Sequence, residues 1–295
     1  MILNVSGRTD IIAFYSKWFI NRYEQGFVDV RNPYYPKNIS RIYFKDVDAI
    51  LFFTKNPIPI LNYLEKINKP ILFHITITPY NKDIEPNVAN KKDIIEAVKK
   101  ISNIIGIDNV YVRYDPILLN DRYNINYHIK AFDKLCKLLN GYVKHIIISF
   151  VDEYKNVKNN SNFLNLKPFF ENDFKLIGKN FARIANENNM SVQTCFEDNN
   201  LAEYGFIIDD CLSNQLAYTL TNKHYKKWRA RKGNKCNCVE MVDIGVYNSC
   251  KHFCKYCYAN YDENKVNDNF INHDVNSSLL IGKINSDDTI KIRQK

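Results

Sequence analysis

Short apolar segments alternate with helical patterns through the first two-thirds of the chain, and this alternation restricts the possible folds. The apolar segments are rich in β-branched and aromatic residues, as is typical of strands buried on both faces. Strands are predicted at residues 2–6, 49–54, 71–78, 109–113, 145–151 and 191–196, and helices after Asp10 and at residues 93–105, 127–139, 174–186 and 209–220. Strands that alternate with helices of this length predict parallel βα units and therefore an α/β fold.

Polar and charged residues follow each predicted strand. In a (β/α) barrel the carboxyl ends of the strands form one rim, where active sites lie. We therefore expect the residues after the strands to line one pocket there, among them Arg8, Lys55, Arg113, Asp115 and Glu197. A doubly wound sheet would also suit the alternation, but its usual glycine-rich first turn is missing, since no GxGxxG occurs in the sequence.

Composition narrows the class of protein. The chain has 295 residues, 45% of them apolar, with a net charge of +9 and eight cysteines. No apolar run approaches the roughly 20 residues of a membrane span, and the N-terminus lacks the pattern of a secretory signal, so we expect a cytoplasmic protein without membrane contact. Cysteines in such a compartment point to metal or redox chemistry, because disulfide frameworks are rare there.

Three cysteines near the C-terminus form the most specific motif. Cys250, Cys254 and Cys257 are spaced C-x3-C-x2-C. Soft thiolates suit an iron–sulfur cluster or zinc, and three local ligands imply either a distant fourth or an iron left open for a small molecule. The zinc alternative would use Cys236 and Cys238 with two of the motif cysteines, or with His252, to close a tetrahedral site.

The motif, with Tyr256 before its last cysteine, resembles the cluster motif of the radical S-adenosylmethionine superfamily. The resemblance implies that the three cysteines hold a [4Fe–4S] cluster whose fourth iron is chelated by S-adenosylmethionine. It also implies that an electron, from a reductant such as flavodoxin or ferredoxin, cleaves this cofactor to a 5′-deoxyadenosyl radical that abstracts hydrogen from a substrate. Tyr256 would then lie beside the adenine.

Most of residues 1–260 resemble the DUF1848 family. The matching stretches are SGRTDIIAFY, VRNPYYPK, FFTKNP, VRYDPILL, ISF and CNCVEMVDIGVYNSCKHFCKYCYAN. The resemblance implies a cluster motif displaced to the C-terminus, with a strand at 242–247 in the position of the usual first barrel strand. We therefore expect a partial or nearly closed (β/α) barrel, with the cluster on the same rim as Arg8, Lys55, Arg113 and Glu197. Residues 1–200 would form the barrel-like core, 201–262 a cysteine-rich region completing it, and 263–295 a loosely held polar tail.

Four further cysteines are candidates for a second [4Fe–4S] cluster: Cys195, Cys211, Cys236 and Cys238. A zinc staple, or plain buried thiols at Cys195 and Cys211, are the alternatives. The eighth, Cys136, lies within a helical pattern and is predicted to be a core residue.

The leading expectation is a radical S-adenosylmethionine enzyme whose substrate the sequence does not specify. Nucleic acid is one candidate, because residues 223–235 contain seven basic side chains in 13 positions, with Tyr225 and Trp228 available to stack on bases. A solvated charge run is the alternative explanation of this stretch. The alternative function is that of a zinc-stapled nucleic-acid-binding protein without catalysis.

Overall fold

The computed structural model describes residues 1–152, 154–195, 197, 201–228 and 237–294. The strands are β1 (Ile2–Asn4), β2 (Phe27–Arg31), β3 (Asn38–Tyr43), β4 (Ala49–Thr54), β5 (Ile71–Thr76), β6 (Val110–Ile117), β7 (His145–Phe150), β8 (Ser191–Thr194), β9 (Met241–Asp243) and β10 (Thr289–Ile292). The α-helices are α1 (Ile11–Phe14), α2 (Ser16–Gln25), α3 (Lys91–Ile105), α4 (Ile125–Leu139), α5 (Lys155–Asn159), α6 (Ser161–Leu164), α7 (Glu171–Glu187), α8 (Asn214–Thr221) and α9 (Glu263–Ile271). None of the helices in these ranges has the length and apolarity needed to cross a lipid bilayer.

Seven strands of the described chain form one parallel sheet in the order β8-β7-β6-β5-β4-β1-β9. The predicted α/β class is thus confirmed. Each predicted strand is found, the one at 49–54 with the predicted bounds and the others with ends that differ by a few residues. Strand β9 pairs with β1 through Ile2 opposite Met241 and Asn4 opposite Asp243. The strand before the cysteine motif, β9, therefore lies at the edge of the sheet next to β1, although it comes much later in the sequence. Within the described ranges, no hydrogen bonds join the edge strands β8 and β9. The sheet is therefore not closed by hydrogen bonds, which is consistent with a partial barrel.

The two faces of the sheet contact different parts of the chain. One face supplies the main core: residues such as Leu3, Phe73 and Val112 pack with the apolar sides of the long helices. The other face, the inner face, has Leu72 and Ile147 at its centre and packs against residues within 211–228 and 238–241. Because both faces are covered, the strands are apolar throughout instead of alternating, which is the pattern that the sequence showed.

The helix predicted at 209–220 begins later than expected. Helix α8 starts at Asn214, and the Ser213 hydroxyl accepts a hydrogen bond from the Leu216 N–H at 3.2 Å. Residues 209–212 therefore precede the helix, because a serine that caps the first turn fixes where a helix starts. This correction places Cys211 outside the helix, against the inner face of the sheet.

The segment predicted as a loosely held polar tail contains regular secondary structure within its described residues, 263–294, and contacts the rest of the fold. Helix α9 lies in this segment, and β10 pairs with β3, which also pairs with β2 in a three-stranded sheet. The indole N–H of Trp18 donates to the Ser277 carbonyl at 2.8 Å, and the Arg31 guanidinium pairs with Asp288 at 2.7 Å. Hydrogen bonds and ion pairs of this kind, which hydropathy does not register, attach the segment to the core.

Replacing Phe132 in α4 should strongly destabilise the fold. Its ring is fully buried and stacks on that of Phe181 in α7, with ring centroids 3.8 Å apart. We expect Phe132→Ala to lower the free energy of unfolding in urea by about 3–5 kcal/mol, because it leaves a cavity between the two helices. Leu138→Ala, at a 40% exposed position of the same helix, is the control and should change it by less than about 0.5 kcal/mol. Equal effects of the two substitutions would contradict this packing.

Candidate functional site

The carboxyl ends of the parallel strands open into a cavity of ≈ 1070 Å³. Every predicted site residue that the structure describes lines it: Arg8, Lys55, Arg113, Asp115, Cys195, Glu197, Cys211, Cys238, Cys250, Cys254, Tyr256 and Cys257. Cys236 lies outside the described residues. The sheet topology therefore brings together side chains from the ends of four strands, β1, β4, β6 and β8, and from the cysteine motif.

The loop of the cysteine motif is shaped by two residues in the left-handed region of backbone space. Asn248 has φ 53° and Phe253 has φ 54°. Asparagine tolerates this conformation, whereas phenylalanine adopts it only where surrounding contacts impose it. The turn at Phe253 immediately precedes Cys254, and the N–H of Cys257 then donates to the Cys254 carbonyl at 3.1 Å.

Side-chain amides fix the loop from the outside. The Asn156 amide of α5 donates to the carbonyls of Cys257, Tyr258 and Asn260 at 3.1–3.2 Å. The Asn160 amide donates to the Lys255 carbonyl at 2.7 Å. Buried carbonyls need partners, so these two asparagines stabilise a loop that has no regular secondary structure of its own.

The three motif thiols have a buried environment in common. Burial raises the pKa of Cys250, Cys254 and Cys257 above the ordinary value of a thiol, and for Cys250 the neighbouring Asp10, Cys257 and Cys254 raise it further. The Ala259 N–H donates to the Cys257 sulfur at 3.3 Å. In the part of the chain described, no three His, Cys, Asp or Glu side chains surround a common point at the distance of a single metal ion. Sulfurs that each bind a different iron of a cluster need no such close approach, and the soft donor set suits that chemistry.

Asp243, at the end of β9, joins the motif strand to β1. Its carboxylate accepts the N–H groups of Gly7 and Gly245, both at 2.9 Å, and pairs with the Arg8 guanidinium at 2.5 Å. A Cβ at position 7 would lie 2.8 Å from the Asp243 carboxyl carbon, and one at position 245 would lie 2.9 Å from the Arg8 backbone nitrogen. Only glycine allows the two strand ends to approach this closely. Arg8 thus lines the cavity, and its ion pair with Asp243 holds its side chain in place.

Lys55 and Tyr256 meet at Glu85, a buried carboxylate that sequence reasoning missed. Glu85 accepts from the Lys55 ammonium and the Thr78 hydroxyl at 2.8 and 2.6 Å, and it also bonds to Lys91 and to the Tyr256 hydroxyl. Burial alone would raise the pKa of Glu85, but the charges of Lys55 and then Lys91 outweigh it and lower the pKa to about 2. Burial would likewise lower the pKa of Lys55, whereas Glu85 and then the Cys254 sulfur raise it. The Lys55 ammonium also lies 5.4 Å from the centre of the Tyr256 ring, so one cation connects the motif tyrosine, Glu85 and Cys254.

Asp10 caps α1 and also holds the motif loop. One of its oxygens accepts the Ala13 N–H at 2.9 Å, and the other accepts the Lys55 N–H at 2.7 Å and lies 2.9 Å from the His252 Nε2. His252 is 2% exposed and was considered above only as a zinc ligand. Its ring instead connects the motif loop to the residues after β1 and β4.

Arg113 and Asp115 form another part of the cavity wall. The guanidinium donates twice to one Asp115 oxygen, at 2.5 and 2.9 Å, and once to the Cys211 sulfur at 3.2 Å. The Cys195 sulfur lies 2.7 Å from that of Cys211. Hydrogen bonding from Cys195 and then from Cys238 lowers the pKa of Cys211 well below the ordinary value, against the effect of burial. Three of the four cysteines considered for a second site therefore converge here.

Glu197 completes the cavity wall beside β7. Its carboxylate accepts the Phe150 N–H at 2.8 Å, and it also lines the cavity.

Glu85 is a site residue that reasoning from the sequence missed. It follows β5 by nine positions, in an irregular loop. No periodicity marks such a residue. A buried lysine is the only signal that could have suggested it, since a buried charge needs a counter-ion.

The sequence profile of a family described as "Domain of unknown function (DUF1848)" matches residues 2–259. This chain belongs to the DUF1848 family. The match covers the whole parallel sheet and the cysteine motif, and it ends before α9. No curated protein matches the sequence.

Removing the charge of Glu85 should destabilise the protein in a pH-dependent way. Since the folded-state pKa of about 2 lies below the ordinary 4.5, the carboxylate contributes stability above about pH 5 and loses it as the pH falls toward 2. We expect Glu85→Gln to lower the free energy of unfolding by about 3 kcal/mol at pH 7, with the wild-type and variant curves converging in acid. Urea unfolding measured between pH 7 and pH 3 checks this. Glu96→Gln, at an exposed glutamate on α3, should cost less than about 0.5 kcal/mol, and parallel pH curves for Glu85→Gln and wild type would contradict the assignment.

Proposed function

We propose that this DUF1848 protein is a radical S-adenosylmethionine enzyme. The observation that carries the proposal is that three cysteines spaced C-x3-C-x2-C line the same cavity as Tyr256, the cations Lys55 and Arg113, and the carboxylates Asp115 and Glu197. A cavity with convergent charged groups at the carboxyl ends of parallel strands is where an α/β enzyme binds its ligands.

Cys250, Cys254 and Cys257 would hold a [4Fe–4S] cluster. Their fit rests on three soft donors on one loop, of which Cys250 is buried and Cys254 and Cys257 are half-buried. It rests also on the N–H to sulfur hydrogen bond at Cys257 and on the proximity of the Lys55 charge to Cys254. When bound and reduced, the cluster supplies the electron that cleaves S-adenosylmethionine to methionine and a 5′-deoxyadenosyl radical. The protein holds this loop rigidly through Asn156, Asn160 and Asp10.

Charged residues of the cavity would bind S-adenosylmethionine. Lys55 and Arg113 are the cations suited to its carboxylate, and Asp115 and Glu197 are the acceptors suited to its ribose hydroxyls and amino group. Tyr256 would contact the adenine. Arg8 is held by Asp243, so it would shape the site at the β1–β9 junction more than it would move toward a ligand.

The remaining volume would accommodate the substrate. We propose a cytoplasmic enzyme that receives its electron from a flavodoxin or ferredoxin. A nucleic acid stays one candidate substrate, although the basic stretch that suggests it lies partly outside the described residues. Within the described part, Lys223 pairs with Asp48 at 2.6 Å, so this lysine is engaged with the protein.

Reductive cleavage of S-adenosylmethionine tests the proposal. Protein purified anaerobically, reconstituted with iron and sulfide and then reduced should produce 5′-deoxyadenosine, because three motif thiolates would leave one iron open to the cofactor. Cys254→Ala should abolish this product. Cys136→Ala, at a buried cysteine of α4 outside the cavity, is the matched control and should retain it. A well-formed cluster without cleavage, or equal cleavage by Cys254→Ala, would contradict the proposal.

Binding of S-adenosylmethionine tests the role of Lys55. Lys55 and Lys91 both pair with Glu85, but only Lys55 lines the cavity among the residues described. We expect Lys55→Gln to weaken binding by roughly tenfold to a hundredfold, as is typical when a charged hydrogen bond is lost, and Lys91→Gln to leave it nearly unchanged. Equilibrium dialysis with the reconstituted protein measures both. Equal losses would indicate that Lys55 acts only through Glu85.

Metal analysis of anaerobically purified protein separates this function from a zinc-stapled nucleic-acid-binding protein. About four iron atoms per chain would indicate one [4Fe–4S] cluster and about eight would indicate two. Zinc without iron, together with nucleic-acid affinity that falls steeply with salt, would instead indicate the alternative.

A further inference from the structure

A second group of thiols lies in the cavity, apart from the C-x3-C-x2-C motif. Cys195 follows β8, Cys211 precedes α8, and Cys238 precedes β9, so they come from three separate segments. The sulfurs of Cys195 and Cys211 are 2.7 Å apart, and Cys238 is hydrogen-bonded to Cys211. All three pack with the apolar residues on the inner face of the sheet and line the cavity.

Arg113 distinguishes this group from ordinary buried cysteines. Its side chain is buried, and after two donations to Asp115 it directs a third N–H to the Cys211 sulfur at 3.2 Å. A neutral thiol is a weak acceptor, so a guanidinium placed on it favours the thiolate, which is the form in which cysteine binds a metal. A metal-bound thiolate keeps negative charge, and a charged N–H donor beside it stabilises that state.

His74 is a second unusual group on the same face. Its ring is fully buried between Phe53 and Tyr111, and neither ring nitrogen makes a hydrogen bond of normal geometry to any residue that the structure describes. The charge of Arg113 and both the side chain and the backbone of Cys211 act on the imidazole, so it lies near them. A buried polar ring normally has well-formed hydrogen bonds, and their absence beside a group of thiols is consistent with a further ligand at this place.

We propose that Cys195, Cys211 and Cys238 bind a second metal centre, of the thiophilic class that includes zinc and the iron of iron–sulfur clusters. The proposal does not depend on the first cluster. Metal binding would require the Cys195 and Cys211 sulfurs to separate from 2.7 Å, because ligands around a common metal lie further apart than this. The centre would attach the segments around Cys211 and Cys238 to the inner face of the sheet and place a metal in the cavity wall.

The experiment uses full-length protein in which the motif is removed by Cys250→Ala, Cys254→Ala and Cys257→Ala. This protein is incubated anaerobically with Zn²⁺ alone, or with iron and sulfide, then freed of excess metal and analysed for bound metal. We expect one centre per chain in one of the two arms. Zinc in the first arm would identify a mononuclear site, and iron with sulfide in the second would identify a cluster.

Further substitutions in the motif-free protein locate the centre. Adding Cys195→Ser and Cys211→Ser should abolish tight binding, whereas adding Cys136→Ala should leave it intact. Arg113→Gln should weaken metal affinity by roughly tenfold to a hundredfold while the thiols remain, as is typical when a group contacting a ligand is lost. Circular dichroism verifies folding. Substitution by Co²⁺ provides a readout in the motif-free protein without further mutation, because sulfur-to-cobalt charge-transfer absorption reports thiolate ligation directly.

Two results would overturn the proposal. One is the absence of stoichiometric metal in both arms, with no charge-transfer absorption from Co²⁺. The other is binding that persists after Cys195→Ser and Cys211→Ser. Neither result bears on cleavage of S-adenosylmethionine by the wild-type protein, so failure of this proposal is distinguishable from failure of the first.

Discussion

The Asp243 carboxylate joins the two strands on which the rest of the site depends. It accepts N–H groups from both strand ends and pairs with Arg8, and thereby fixes β9 beside β1. This parallel pairing brings a segment from the last fifth of the chain to the carboxyl ends of strands that begin at residue 2. The two glycines that Asp243 contacts have no alternative residue, since any Cβ there would collide with the opposite strand end. The contact of Gly7 and Arg8 with Asp243 and Gly245 therefore fixes where the cysteine motif lies.

From this junction the polar network extends around the cavity. Asp10 connects the motif loop, through His252, to the backbone of Lys55, and Glu85 connects the Lys55 ammonium to Tyr256. The charge of Asp115 acts on Lys55 as well as pairing with Arg113, which in turn contacts Cys211. Both groups of thiols are therefore linked by buried charges that neutralise one another. In a cavity of low polarity such a network is stable only when each charge has its partner, which keeps the wall rigid.

Much of the fold followed from the sequence. The apolar strands and periodic helices predicted the α/β class because both signals are local, and the polar exits predicted one rim because parallel strands end at the same edge. The polar composition after residue 262 predicted a loosely held tail and gave no sign of the contacts found there. The Trp18–Ser277 hydrogen bond and the pairing of β10 with β3 depend on partners over 200 residues away. The site was predictable only in part for the same reason: Lys55 was found from its place after a strand, whereas Glu85 lies in a loop without a pattern.

The sequence by itself determined the class of the fold, the strands that carry the site and the soft-ligand character of the cysteine motif, because periodicity and residue chemistry are written along the chain. Only the tertiary structure decided that Asp243 fixes β9 beside β1, that Glu85 joins Lys55 to Tyr256, and that Cys195, Cys211 and Cys238 meet at Arg113. These contacts join residues that are far apart in sequence, and no local pattern marks which of many possible partners a buried charge or thiol will meet when the sheet assembles.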